Sequence, residues 1–122
     1  DVEFDVAVID EASQATIPSV LIPISKAKHF ILAGDHKQLP PTVLSQEAAE
    51  LSETLFEKLI KAHPENSKML EVQYRMNEKL MEFPSREFYS GRLKADDSVR
   101  HITLADLGVK EPKPIWSEVL GS

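Results

Sequence analysis

Cysteine is absent from this chain of 122 residues, and glycine occurs at only four positions. Without cysteine the chain can form no disulfide, no cysteine-ligated zinc site and no thiol nucleophile. The glycines also do not form the pattern Gly-x-x-x-x-Gly-Lys-Ser/Thr, whose backbone amides and lysine cradle nucleotide phosphates. These absences exclude thiol chemistry and leave any phosphate site in this chain without that loop.

Long apolar runs and secretion signals are also missing, so we expect no membrane association. The setting we expect is intracellular and cytoplasmic, or nuclear if the source is eukaryotic. The net charge of −6 argues against a broad basic surface that holds nucleic acid by charge alone. With 42% hydrophobic and 28% charged residues, the composition indicates a globular domain.

Charge is distributed unevenly along the chain. Residues 1–67 contain eleven acidic residues against five lysines, whereas residues 68–122 contain nine of each sign and all four arginines. A polar, turn-rich stretch at His63–Ser67 accompanies this shift. We therefore expect a domain boundary near residue 67.

The first part of the chain has the pattern of a β-α-β unit. Val6–Ile9 predicts a buried strand, and residues 28–33 predict a second one, which ends at Gly34. Between them, residues 15–25 predict a short helix that begins near Pro18. Two parallel strands joined by a helical crossover give an α/β fold class.

The second part of the pattern is less regular. Apolar residues at helical spacing predict one or two amphipathic helices over residues 46–62. Met69–Val72 predicts a short strand, and Asn77–Tyr89 predicts a helix that is interrupted at Pro84. Beyond Gly91 further prolines predict an irregular tail.

Polar side chains follow both predicted strands. Asp10 and Glu11 come after the first strand, and Gly34–Pro41 follows the second, with hydrogen-bonding groups on four consecutive residues. The ends of parallel strands open onto one edge of a sheet, so these groups form one candidate site. One carboxylate can hold Mg²⁺ while its neighbour orients a water. The alternative is that both stretches simply begin polar loops.

A third polar stretch, Gln73–Met76, lies just after the expected boundary. Arg75 offers a planar cation suited to phosphate, and Tyr74 offers a face on which a base can stack. A solvated charge or a carboxylate partner is the ordinary alternative for a loop arginine. Reaching across a cleft, Arg75 would instead act as an arginine finger on a transferring phosphoryl group.

Together these stretches resemble motifs II, III and IV of superfamily 1 helicases. The stretches are Val-Ile-Asp-Glu-Ala-Ser-Gln at 8–14, Gly-Asp-His-Lys-Gln-Leu-Pro-Pro at 34–41 and Gln-Tyr-Arg-Met at 73–76. The likeness is to the up-frameshift-like branch, which includes the RNA helicase of nonsense-mediated decay and the immunoglobulin S-mu-binding helicase. It implies a partial RecA-like P-loop NTPase fold. Residues 1–67 would be the C-terminal part of the first RecA-like domain, and residues 68–122 the hinge and the start of the second.

The resemblance also implies ATP and Mg²⁺ as cofactors and gives roles to single residues. Asp10 would help to hold Mg²⁺, and Glu11 would activate or orient the attacking water. Gln38 would sense the γ-phosphate, with Asp35 beside it in the nucleotide site. Arg75 would be the arginine finger, and Tyr74 would lie against the adenine.

Two positions depart from the family pattern. Asn77 and Glu78 follow Met76 where relatives often have His and Pro, so the resemblance assigns these two positions no role.

The implied function is that of a fragment of an ATP-dependent DNA or RNA helicase, whose partner is single-stranded nucleic acid. Without the phosphate loop, the isolated chain should hydrolyse little or no ATP. A non-catalytic interaction module with a helicase-like shape is the main alternative, and a small Mg²⁺-dependent phosphohydrolase is a third. An incomplete sheet also predicts uncovered edges, through which the fragment would self-associate.

Overall fold

The computed structural model describes residues 2–45 and 52–110. The chain separates into two compact units, Asp1–Lys68 and Met69–Ser122. Within the described residues each unit contains one pair of parallel strands. None of the helices in the described ranges has the length and apolar character needed to span a bilayer. The assignment of the two units to successive RecA-like domains stays a prediction.

The first unit contains the predicted β-α-β arrangement. Strand β1 (Phe4–Ile9) and strand β2 (Ala27–Leu32) run parallel, with Val6 opposite His29 and Ile9 opposite Leu32. Helix α1 (Ile17–Ile24) connects them. It begins one residue before Pro18, where a proline fits because the first turn has no partner for a backbone N–H.

The prediction that both strands are buried was wrong. Val8 is 68% exposed and Ile31 is 58% exposed. Within the described ranges β1 and β2 pair only with each other, so each keeps an unpaired edge, as predicted for an incomplete sheet. The well-buried apolar residues of this unit are Ala12 and Val20, at 0% and 2% exposure.

Helix α2 (Leu55–Ala62) follows later in the first unit and packs against a 3-10 turn at Ala12–Gln14. Thr54, which is 2% exposed, caps it by accepting a hydrogen bond from the Glu57 N–H at 3.2 Å. The helix predicted over residues 46–62 is therefore confirmed from Leu55 onward. Its first part, residues 46–51, lies outside the described residues.

In its described residues the second unit contains strand β3 (Val72–Gln73), helix α3 (Glu78–Phe88) and strand β4 (Lys94–Ala95). Val72 pairs with Lys94, and Gln73 with Ala95. The strand predicted over Met69–Val72 was wrong in its first three residues, because the two-residue β4 offers a partner only to Val72 and Gln73. A strand as short as β4 carries no readable periodicity, and the sequence did not predict it.

The predicted interruption of α3 at Pro84 was also wrong, since the helix continues through this residue. Proline removes one backbone donor, which costs about 3 kcal/mol in a helix interior. Contacts at both ends of α3 offset this cost. Asn77 caps the start, the Ser85 carbonyl accepts from the N–H groups of Tyr89 and Gly91 at the end, and Met81 and Ser85 are buried.

Asn77 provides a test of this end-capping. Its Oδ1 accepts from the Leu80 N–H at 3.0 Å, and its Nδ2 donates to the Ile102 carbonyl at 3.0 Å. We expect Asn77→Ala to lower the free energy of unfolding, measured by urea denaturation, by about 1–2 kcal/mol. Asn77→Ser keeps a capping oxygen and loses the Ile102 bond, so it should cost less. Equal stability of the alanine variant and the wild type would contradict the capping role.

Candidate functional site

The two strands of the first unit end side by side. Beyond the strands, the Ala33 N–H donates to the Ile9 carbonyl, and the Ala12 N–H donates to the Ala33 carbonyl, both at 2.9 Å. These bonds continue the pairing of β1 with β2 past Ile9 and Leu32. The polar segments that begin at Asp10 and Gly34 therefore leave the sheet side by side, at the carboxyl ends of the two strands.

Glu11 has a strained backbone, with φ 53° and ψ 32° in the left-handed region. A non-glycine residue there costs of order 1–3 kcal/mol, and such residues cluster at functional sites. The surroundings hold it in place. Asp10 Oδ1 accepts from the Glu11 N–H at 2.8 Å, and the next two residues, Ala12 and Ser13, are 0% and 4% exposed. The strained turn keeps the two adjacent carboxylates exposed above a buried anchor.

Ser13 joins the two polar segments. Its Oγ accepts a hydrogen bond from the Asp35 N–H at 2.9 Å. At Gly34 a Cβ atom would lie 2.9 Å from both the backbone nitrogen and the Oγ of Ser13, which is too close for any side chain. Glycine is therefore required at position 34 because of this close approach. Sequence reasoning assigned Ser13 no role, although small residues directly after the carboxylates were a usable signal.

Asp35 holds the side chain of Gln38. Its Oδ2 accepts from Gln38 Nε2 at 3.0 Å, and its Oδ1 accepts from the Lys37 N–H at 2.9 Å. The carboxylate thus fixes the Gln38 amide and uses one of its two hydrogens. His36 lies on the same loop, and its ring packs 6.1 Å from the ring of Phe56 on α2. The loop is therefore attached to the body of the unit rather than free.

The donor set at the strand ends suits a shared Mg²⁺ ion rather than a closed protein cage. In the described ranges no group of three or more His, Asp or Glu side chains is arranged to hold a metal. Mg²⁺ is commonly bound by one or two carboxylates, with substrate phosphates and waters as the other ligands. Asp10 fits this arrangement, because only its Oδ1 is engaged by the Glu11 N–H.

In the second unit, Gln73 organises the loop that carries Tyr74 and Arg75. Gln73 Oε1 accepts from the N–H groups of Arg75 at 2.9 Å and Met76 at 2.7 Å. Its Nε2 donates to the Met76 carbonyl at 2.7 Å. Tyr74 is 68% exposed, and Arg75 is exposed as well.

Arg75 differs from the other arginines in its partners. The other three are each paired with at least one carboxylate: Arg86 with Glu87, Arg92 with Glu71, and Arg100 with Glu78 and Asp97. Within residues 2–45 and 52–110 the Arg75 guanidinium forms no such ion pair. Its planar, permanently charged fork is available for an anionic ligand.

The two positions that depart from the family pattern have structural roles here. Asn77 caps α3, and Glu78 Oε2 accepts from Arg100 Nη2 at 3.0 Å. The hydrogen bond with Glu78 is the main cause that raises the pKa of Arg100, and Asp97 adds to it. These residues connect the start of α3 to the segment after β4.

The candidate residues therefore fall into two groups. The first unit brings Asp10, Glu11, Asp35 and Gln38 together beyond the carboxyl ends of β1 and β2. Tyr74 and Arg75 lie on one loop of the second unit.

Two family models, each described as an AAA domain, match residues 1–46 and 51–119. The chain is 68% identical over 109 residues to an uncharacterised ATP-dependent helicase of Methanocaldococcus jannaschii, covering 89% of this chain and 16% of that protein. It is 47% identical to the DNA-binding protein SMUBP-2 of Mesocricetus auratus, covering 85% and 11%. It is 46% identical to the ATP-dependent helicase NAM7 of Saccharomyces cerevisiae, covering 94% and 12%.

These relatives are much longer than the chain, which spans less than a fifth of each of them. The AAA-domain matches confirm the predicted P-loop NTPase fold class, present here in partial form.

The close approach of Gly34 to Ser13 is testable by substitution. We expect Gly34→Ala to lower the free energy of unfolding by about 1–3 kcal/mol, because the added methyl group must displace the Ser13 backbone. Ser13→Ala alone removes one hydrogen bond and should cost about 1 kcal/mol. In the double variant the contact with Oγ is gone, so the combined cost in urea denaturation should be smaller than the sum. Strict additivity would contradict the contact.

Proposed function

Since this chain belongs to the AAA-domain family of P-loop NTPases, and within it to the up-frameshift-like superfamily 1 helicases, we propose that it is the central part of an ATP-dependent nucleic-acid helicase. One observation carries the proposal. At the ends of β1 and β2 the Asp10–Glu11 pair lies beside the Asp35–Gln38 pair. The Ser13 Oγ connects the two segments by accepting a hydrogen bond from the Asp35 N–H. In parallel α/β sheets, ligands bind in the crevice just beyond the carboxyl ends of the strands.

Asp10 and Glu11 divide the work at the phosphate end of the nucleotide. Asp10 would hold Mg²⁺, and the ion would neutralise charge on the phosphate oxygens. Glu11 orients the attacking water and accepts its proton. The left-handed backbone of Glu11 supports this assignment, because it exposes the carboxylate at the residue directly after Asp10.

Gln38 senses the γ-phosphate through its side-chain amide. Asp35 takes one amide hydrogen of Gln38, and among the described residues the carbonyl oxygen and the other hydrogen have no partner, so they can bind the phosphate or the attacking water. Once the phosphate departs, these bonds are lost, and the loop that begins at Gly34 can respond. In this way Gln38 couples hydrolysis to motion, and Asp35 keeps its amide in position.

Arg75 supplies the finger, and Tyr74 stacks on the adenine. Support for the finger comes from its exposed guanidinium, which lacks a carboxylate partner in the described residues while every other arginine has one. A permanent cation of this kind stabilises the charge that develops on the transferred phosphoryl group.

The partner of the full protein in this proposal is single-stranded DNA or RNA. The net charge of −6 does not favour binding of a negatively charged strand, and this supports the proposal that most of the strand-binding surface lies outside these 122 residues. Because the chain has no phosphate loop, it should hydrolyse little or no ATP in isolation. If the full-length protein bound single-stranded nucleic acid but hydrolysed no ATP, that result would favour the alternative, a non-catalytic helicase-like module.

Glu11→Gln in the full-length protein tests the proposed water-activating role. The amide keeps the size of the side chain but cannot take a proton, so nucleic-acid-stimulated ATP turnover should fall by roughly 10²–10⁴-fold. Glu3→Gln, at another exposed glutamate of the same unit, is the matched control and should retain wild-type turnover. Full activity of Glu11→Gln would remove this residue from the reaction. Mg²⁺-dependent hydrolysis by the isolated chain would favour a phosphohydrolase instead.

Arg75→Ala tests the finger. Loss of an arginine finger typically lowers kcat by about 10³-fold or more, so stimulated turnover in the full-length protein should fall by at least that factor to a low residual rate. Arg86→Ala removes another exposed arginine, whose contacts with Glu87 and with the Phe83 ring lie within or beside α3, and should leave turnover intact. Equal losses in both variants would indicate a general effect of arginine removal and would contradict the specific role.

A further inference from the structure

The side-chain amide of Gln73 uses all of its hydrogen-bonding capacity inside the second unit. Oε1 accepts two bonds, from the N–H groups of Arg75 at 2.9 Å and Met76 at 2.7 Å. Nε2 donates two, to the Met76 carbonyl at 2.7 Å and to the sulfur of Met81 at 3.4 Å. An amide has two donor hydrogens and two acceptor lone pairs, so none is left for a ligand.

The loop backbone depends on these bonds. Residues 74–76 form neither helix nor strand, and within the described ranges the N–H groups of Arg75 and Met76 donate only to Gln73 Oε1. The bond to Met81, which is 8% exposed, connects the loop to α3. Gln73 itself is held by the pairing of β3 with β4. The amide therefore connects an exposed loop to the strand pair and to the buried side of the helix.

Other side chains cannot replace this amide. Glutamate retains the two acceptor positions but has no hydrogen to donate to the Met76 carbonyl, and its charge lies two residues from Arg75. Methionine has a similar length and offers neither function. Asparagine is one methylene shorter, and a hydrogen bond cannot lengthen enough to make up that difference.

From this geometry we infer that Gln73 is a positioning residue for Arg75, which fixes the backbone from which the finger reaches its phosphate. This inference rests on the proposed function. Gln73 touches no reacting atom and acts only through Arg75. A displacement of about 1 Å in a catalytic group can cost on the order of 10²-fold in rate, so a loose loop should be slow even when Arg75 is present.

The test compares Gln73→Met, Gln73→Glu, Arg75→Ala and the double variant Gln73→Met with Arg75→Ala, all in the full-length protein. Ser85→Ala is the control for general damage, because it removes another hydrogen bond of the same unit, from the Leu93 N–H to the buried Ser85 Oγ. Two quantities are measured. One is the kcat and KM of nucleic-acid-stimulated ATP hydrolysis, and the other is hydrogen exchange of the peptide that covers residues 74–76.

We expect Gln73→Met to lower kcat by roughly 10- to 100-fold, with a much smaller change in KM, because a finger acts in the transition state. Hydrogen exchange at residues 74–76 should become faster in this variant and not in Ser85→Ala. Gln73→Glu should also be slow. In the Arg75→Ala background, Gln73→Met should have no further effect on kcat, since the residue it positions is gone.

Three results would overturn the inference alone, provided that Arg75→Ala shows the expected fall in kcat to a residual rate that can still be measured. These are an unchanged kcat in Gln73→Met, unchanged hydrogen exchange at residues 74–76, and a further loss from Gln73→Met in the Arg75→Ala background. Full turnover in Arg75→Ala would instead overturn the finger, and with it both the proposed role of Arg75 and this inference.

Discussion

The close contact between Ser13 and the Gly34–Asp35 backbone is the constraint on which the candidate site depends. Two parallel strands bring their ends near each other, but they do not by themselves fix the loops that follow. Here Gly34 comes so close to Ser13 that a Cβ atom cannot fit, and the Asp35 N–H donates to the Ser13 hydroxyl. Because Asp35 in turn holds Gln38, this one contact sets the position of the proposed sensor relative to the two carboxylates.

The second unit uses an uncharged side chain in a similar way. Ser13 and Gln73 both bind loop backbone, and neither carries charge, so the charged groups beside them remain exposed. A charged tether would have the opposite effect, because a carboxylate near Arg75 would pair with it. The other arginines show that outcome, since each is engaged by a carboxylate. Neutral tethers therefore provide order without using up the groups proposed to act on phosphate.

Several features were predictable from the sequence for identifiable reasons. The α/β class, the parallel strands and the start of α1 follow from apolar runs, a crossover and a proline in a first turn. The predicted burial of β1 and β2 failed because a run of apolar residues indicates which side chains would be buried in a complete sheet. It does not indicate how much of that sheet is present. The helix continues through Pro84 because the Asn77 cap, the hydrogen bonds to the Ser85 carbonyl and the burial of Met81 and Ser85 offset one missing backbone bond.

The sequence by itself determined which chemical groups the candidate site contains. It placed Asp10 and Glu11 after one strand, Asp35 and Gln38 after the next, and Arg75 on a later loop, because chemistry-bearing residues follow strand ends in a short, readable pattern. Only the tertiary structure decided what holds these groups: the Ser13 hydroxyl, the absent side chain at Gly34, the left-handed backbone at Glu11 and the saturated amide of Gln73. The physical reason is that these contacts have no periodicity along the chain. They arise from distances of about 3 Å between backbone and side-chain atoms, which exist only once the chain has folded.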